Sequence, residues 1–125
     1  MKHRRWSIAL VFLMVTVTGC SPSVAPTNID WKTSIPLGIE RAESGQKLFV
    51  YFQASWCTVC AQMERETFPA PRVADALEGF VPVRVDVDAQ PRVAEAYMAL
   101  VVPAFVIVDR RGRVLARSYG YLSEE

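Results

Sequence analysis

Two cysteines separated by two residues, Cys57 and Cys60, are the side chains whose spacing points most directly to chemistry. Two intervening residues let one sulfur reach back a single helical turn to the other, so the pair can interconvert between disulfide and dithiol. That exchange needs an ionised sulfur, because the thiolate is the nucleophile. A cysteine opening a helix meets the need, since unpaired N–H groups and the helix dipole favour an anion there. The motif reads Trp56-Cys57-Thr58-Val59-Cys60, directly after an apolar run and at the start of a helical pattern. Cys57 is the expected nucleophile and Cys60 the resolving thiol that attacks the mixed disulfide.

The rest of the composition narrows the alternatives. The only histidine, His3, lies near the N-terminus. A structural zinc site takes about four Cys or His ligands, and only Cys57 and Cys60 stand in the body of the chain. Ala61 follows the second cysteine, where haem attachment needs histidine. Cysteine–histidine hydrolysis lacks its base. No metal or cofactor is expected, which leaves redox work or a structural staple. Three of the fourteen basic residues precede the first apolar run, and the remaining eleven face thirteen acidic ones. A near-neutral body offers no footprint for nucleic acid.

The elements that would position the cysteines follow from periodicity. Lys47 to Gln53 is an unbroken apolar and aromatic run, the pattern of a strand buried on both faces. Thr58 to Phe68 is helical in pattern and carries the motif at its start. A short amphipathic helix over Ile35 to Ser44, ended by Gly45, precedes the strand. Pro71 to Glu78 is a second short helix with proline near its start. Phe80 to Asp88 alternates: Val81, Val83, Val85 and Val87 fall on one side, Arg84, Asp86 and Asp88 on the other. Pro82 favours an edge position, and Asp86 and Asp88 are expected to face water. Pro91 to Leu100 reads as a helix with Val93, Ala96, Tyr97 and Leu100 inward. Met63 and Met98 are expected in the core. Ala104 to Val108 is a second fully apolar strand, joined by the turn Asp109 to Gly112 to a last strand over Arg113 to Ser118. Strands separated by helices imply a parallel core with one antiparallel hairpin, an α/β arrangement.

The N-terminus reads as an address. Met1 to Arg5 is basic, and the apolar stretch Trp6 to Val17 falls short of the ~20 residues a membrane span needs. This is the pattern of a secretory signal peptide. Val17-Thr18-Gly19-Cys20 resembles the lipobox of bacterial lipoproteins. That resemblance implies cleavage after Gly19 and acylation of Cys20. Residues 1–19 are then a signal peptide, 20–30 an acylated cysteine with a flexible tether rich in Ser and Pro, and 31–125 the folded domain.

From about Trp31 onward the chain resembles the thioredoxin superfamily. The similarity is greatest to the periplasmic C-terminal domain of thiol:disulfide interchange reductases and to small thioredoxin-like lipoproteins. It rests on Tyr51-Phe52-Gln53-Ala54-Ser55-Trp56-Cys57, Glu64 to Phe68, Val85 to Asp88, Val102-Pro103-Ala104 and Asp109 to Gly112. The resemblance implies a thioredoxin-like fold, a mixed four-stranded sheet flanked by helices. It implies that Pro103 is cis and faces the cysteines, that the backbone of Val102 pairs with a substrate peptide, and that Trp56 shapes the substrate groove. Two departures stand out. Tyr51 occupies the place where many thioredoxins carry a buried aspartate, and a phenol is a poor base at neutral pH. Glu64 matches a carboxylate of the interchange reductases and is the candidate proton relay. The chain also reaches Leu122-Ser123-Glu124-Glu125, which reads as a helix start, so the family's C-terminal helix is expected to be missing and the domain truncated.

The function implied is a membrane-anchored protein-disulfide oxidoreductase outside the cytoplasm, on the periplasmic side. Its partners would be protein thiols and disulfides, with a membrane protein as electron donor. Reductant or oxidant direction stays open. So do two alternatives, a non-catalytic binding module whose disulfide is a staple, and a truncated remnant.

Overall fold

Seven residues, Lys47–Gln53, form β1, and their side chains divide between two hydrophobic layers. Leu48, Val50 and Phe52 point into one, and Tyr51 into the other, with Phe49 packed against it. All but Lys47 and Gln53 at its ends have core contacts, as an apolar run of this length predicts. The computed structural model describes Gly19 and residues 27–125. The expected signal peptide, Cys20 and the tether as far as Pro26 lie outside the described residues, Gly19 aside. The chain meets the body at Thr27, whose N–H donates to Pro69 O at 3.1 Å. Ile29 and Trp31 pack against the second layer.

Element order is α1 (Ile35–Arg41), β1, α2 (Thr58–Glu66), α3 (Pro71–Ala76), β2 (Phe80–Asp86), α4 (Pro91–Ala96), β3 (Ala104–Val108) and β4 (Val114–Tyr119). The sheet order is β2-β1-β3-β4. Only β1 and β2 are parallel; β3 runs antiparallel to β1, and β4 to β3. This corrects the parallel core expected from alternation of strands and helices. The reason is length. A six-residue α4 spans about 9 Å at 1.5 Å per residue. The seven-residue β2 spans about 23 Å. So α4 is too short to return the chain to the other end of the sheet, and β3 starts near where β2 finishes. β2 sits at the edge, as Pro82 requires, and Lys32 donates to Pro82 O beyond it at 2.9 Å.

Several boundaries differ from the sequence pattern. α1 starts at a Ser34 cap whose hydroxyl accepts from Leu37 N, but it ends at Arg41. Gly45, with φ at 79°, lies in the turn that follows rather than at the helix end. α4 stops at Ala96, and the chain reverses at Met98, which has φ at 57°. Met98 and Leu100 therefore face outward, at 57% and 75% exposure, and Ala94 and Ala99 take the core positions instead. Met63 is fully buried as expected. Residues 121–125 form no helix; Leu122 packs on the second layer and its carbonyl accepts from Thr67 Oγ1 at 2.8 Å. Among the described residues no helix is long and apolar enough to cross a membrane.

α1 approaches the sheet most closely at Gly38. A Cβ there would sit 2.6 Å from Val83 Cγ2 and 2.8 Å from Leu48 Cδ2, both fully buried. Gly38→Ala is expected to lower stability by about 1–3 kcal/mol through overpacking, read from the urea midpoint. Alanine's better helix propensity offsets at most about 1 kcal/mol of this. A variant as stable as the parent would show that the helix has room to lift.

Candidate active site

The turn after β1 places the motif. Cys57 N–H donates to Ala54 O at 3.1 Å, and Cys57 is the N-cap of α2. Its Sγ accepts the N–H of Cys60 at 3.1 Å, the bond a capping side chain makes to the third helical residue. Cys57 and Cys60 are joined in a disulfide. Both residues are buried, and Cys57, the expected nucleophile, is the slightly more exposed of the two, at 6% against 2% for Cys60. Both lie along a groove of about 240 Å³ with Gln53, Ala54, Ser55, Ala61 and Glu64.

Trp56 stands beside the pair at 67% exposure. Its indole N–H donates to Asp88 Oδ2 at 2.9 Å. Asp86 accepts from the backbone N–H of Asp88 at 2.8 Å and of Ala89 at 3.3 Å, closing the turn after β2. Both carboxylates have partners yet stay open to water, as expected, although Asp88 lies in the turn beyond β2 rather than on the strand. The signal was present: an aspartate that bonds the backbone N–H two residues on is a turn-former.

The Val102–Pro103 peptide bond is cis. Pro103 is buried, its carbonyl accepts from Gly120 N at 2.9 Å, and Val102 packs against the layer that holds both cysteines. Among the described residues, the N–H and C=O of Val102 have no hydrogen-bond partner. Leu100 and Val101, at 75% and 60% exposure, extend the same loop as an apolar surface that the periodicity did not reveal.

Glu64 lies one turn beyond Cys60 and lines the groove with it. Arg84 Nη1 on β2 is 3.2 Å from each Glu64 oxygen. Arg84 also stands directly opposite Tyr51 in the β1–β2 register. Tyr51 is fully buried, its hydroxyl has no partner, and its ring stacks on Phe105 with centroids 5.4 Å apart. Burial pushes this phenol well above its ordinary range; the Glu64 charge adds to the rise and Arg84 opposes it. Burial thus favours the neutral phenol at neutral pH, a form that does not serve as a base for a thiol. Among the described residues no group of three or more His, Cys, Asp or Glu could hold a metal ion.

Residues 39–125 match the thioredoxin-like domain family. Thioredoxin H2 of Arabidopsis thaliana is 37% identical over 87 residues, which are 69% of this chain and 62% of that protein. The thiol:disulfide interchange protein DsbD of Vibrio cholerae is 33% identical over 92 residues, 69% of this chain and 15% of that protein. A thioredoxin from Thermus thermophilus has a similar structure, with a TM-score of 0.67 at 28% identity over 78% of this chain and 80% of that one. The chain spans less than two thirds of the length of these two curated relatives.

Two outcomes follow from the site's geometry. Asp88→Ala is expected to speed hydrogen exchange at the Trp56 indole N–H, followed by NMR, and to cost no more than about 1 kcal/mol of stability. Tyr51→Phe removes a buried hydroxyl that has no partner, so its stability at neutral pH should equal or exceed the parent's. A phenol whose folded pKa lies above the unfolded value of 10.0 supports the fold fully below that pH, and this contribution is lost as pH rises further. The variant should accordingly lose less stability than the parent in urea melts above about pH 10. Equal alkaline losses would place the titration elsewhere.

Proposed function

This chain belongs to the thioredoxin-like family, and from that premise we propose that it is a thiol–disulfide oxidoreductase working through Cys57 and Cys60. The observation that carries the reading is the Cys57–Cys60 disulfide at the start of α2, with the Cys57 sulfur on the Cys60 N–H. The same N–H and the helix dipole would favour a thiolate at Cys57 once the bond is reduced.

In the reductive direction the Cys57 thiolate attacks one sulfur of a substrate disulfide. A mixed disulfide forms and the other substrate sulfur leaves as a thiolate, which takes up a proton. Cys60 then loses its proton and attacks the Cys57 sulfur. The Cys57–Cys60 disulfide forms and the second substrate thiol is released, so two electrons have passed to the substrate. The unpartnered backbone of Val102, next to cis Pro103, is suited to hold the substrate strand by main-chain hydrogen bonds. Trp56 and Val59 offer apolar surface beside it. Glu64 is the candidate proton relay for Cys60. A membrane protein would restore the dithiol, as the likeness to the interchange protein suggests. Anchorage through acylated Cys20, with the domain outside the cytoplasm, rests on the Val17 to Cys20 pattern. More than one acyl chain would make such an anchor firm.

The low exposure of both cysteines favours one rival, a binding module with a stable staple. A bridge closing so short a loop restrains the unfolded chain little, which weakens that reading. The protein is expected to accelerate reduction of insulin by dithiothreitol, with Cys57→Ser reduced to the uncatalysed rate. Cys60→Ser should accumulate a mixed disulfide with its substrate. A reduction potential below about −300 mV, together with no insulin turnover, would establish the staple instead. Mass spectrometry of the membrane fraction should find an acylated N-terminal Cys20; a chain that keeps residues 1–19 would remove the anchor.

A further inference from the structure

We propose that Arg84 is a positioning residue for the exchange, holding Glu64 as a neutralised partner beside the resolving sulfur so that Cys60 can ionise. The inference rests on the oxidoreductase reading above. It starts from a conflict. Glu64 follows Cys60 by one helical turn and shares its groove. A bare carboxylate in that place disfavours a second negative charge, so it would keep Cys60 protonated when the mixed disulfide must be resolved. Arg84 removes the conflict. Its Nη1 reaches both carboxylate oxygens at 3.2 Å, from a strand that is otherwise remote from α2 in sequence.

Among the described residues, Glu64 is the one charged side chain that lines the groove with Cys60, and Arg84 is its partner. From β1 the nearby titratable group is Tyr51, a buried phenol on the strand position facing Arg84, and it stays neutral. From the turn after β2, Asp88 is engaged with Trp56, and Asp86 with backbone N–H groups. On α2, Arg65 and Glu66 are exposed, and Glu66 accepts from Gln62. Asp30 is paired with Lys32 on the N-terminal segment. The Glu64 and Arg84 side chains are 34% and 42% exposed, so the pair adds little to stability. Its effect is local, on the sulfurs beside it. Glu64 also lines the neighbouring groove of about 550 Å³ with Arg84, so protons can reach the carboxylate from solvent.

The test is iodoacetamide alkylation of Cys60 in the full, reduced chain carrying Cys57→Ser, followed peptide by peptide by mass spectrometry across pH. Arg84→Gln in that background is expected to slow alkylation at neutral pH by about tenfold, because the uncompensated Glu64 opposes the thiolate. Glu64→Gln should speed it by a similar factor. The double variant should return close to the starting rate, and Arg84→Lys, which keeps the charge, should stay within about twofold. Circular dichroism establishes that each variant is folded. If Arg84→Gln leaves the rate unchanged, or if the two single variants move it the same way, the proposal is overturned. A double variant as slow as Arg84→Gln alone overturns it too, since Arg84 would then act on the sulfur without Glu64. Alkylation needs no turnover, so the insulin assay on the parent chain reads the oxidoreductase proposal separately.

Discussion

One hydrogen bond organises the site: the N–H of Cys60 on the sulfur of Cys57, at the first turn of α2. It exists because a strand ends and a helix begins within four residues, with Cys57 N–H tied to Ala54 O on the way. A helix start supplies N–H groups that nothing inside the helix can satisfy. A sulfur placed there is held in a field that favours its charged form. Cys57 and Cys60 pack with Val102 and the aromatic residues of the second layer, which ties that turn to the sheet and to the loop carrying Pro103.

The layer beneath the turn is aromatic and dry. Tyr51 lies between Phe68 and Phe105, with centroids 4.9 and 5.4 Å away, and Trp31 meets Phe68 edge-on at 5.0 Å. Cys60 and Met63 pack on the same cluster, so α2 is anchored by its buried face. Such a platform admits no unpaired charge. The ionisable groups beside the sulfurs are accordingly at its margin, where Glu64 and Arg84 pair in partial contact with water.

Much of this was legible from residue order. β1, α2 with its cysteines, edge strand β2 and the β3–β4 hairpin each carry local signals: an apolar run, a capping position, a valine alternation, a Gly112 turn. The cis bond at Pro103 followed from resemblance, and X-Pro is where cis bonds are routine. The misplaced residues after α4 share a cause. Helix α4 read four residues too long because Tyr97 to Leu100 continues an apolar period, yet the chain turns at Met98 to enter β3. Leu100 and Met98 then came out on the surface although their types suit a core.

The order of residues alone determined the chemistry on offer: a two-sulfur pair after a buried strand and no histidine in the body of the chain. These are local matters, set by spacing along a single helix or strand. Only the tertiary structure decided that β3 opposes β1, that Asp88 holds Trp56 across a separation of 32 residues, and that Arg84 clamps Glu64 across 20. Those pairings depend on which distant elements share a face and in what register. Burial of the common core sets that register, and no single segment carries it.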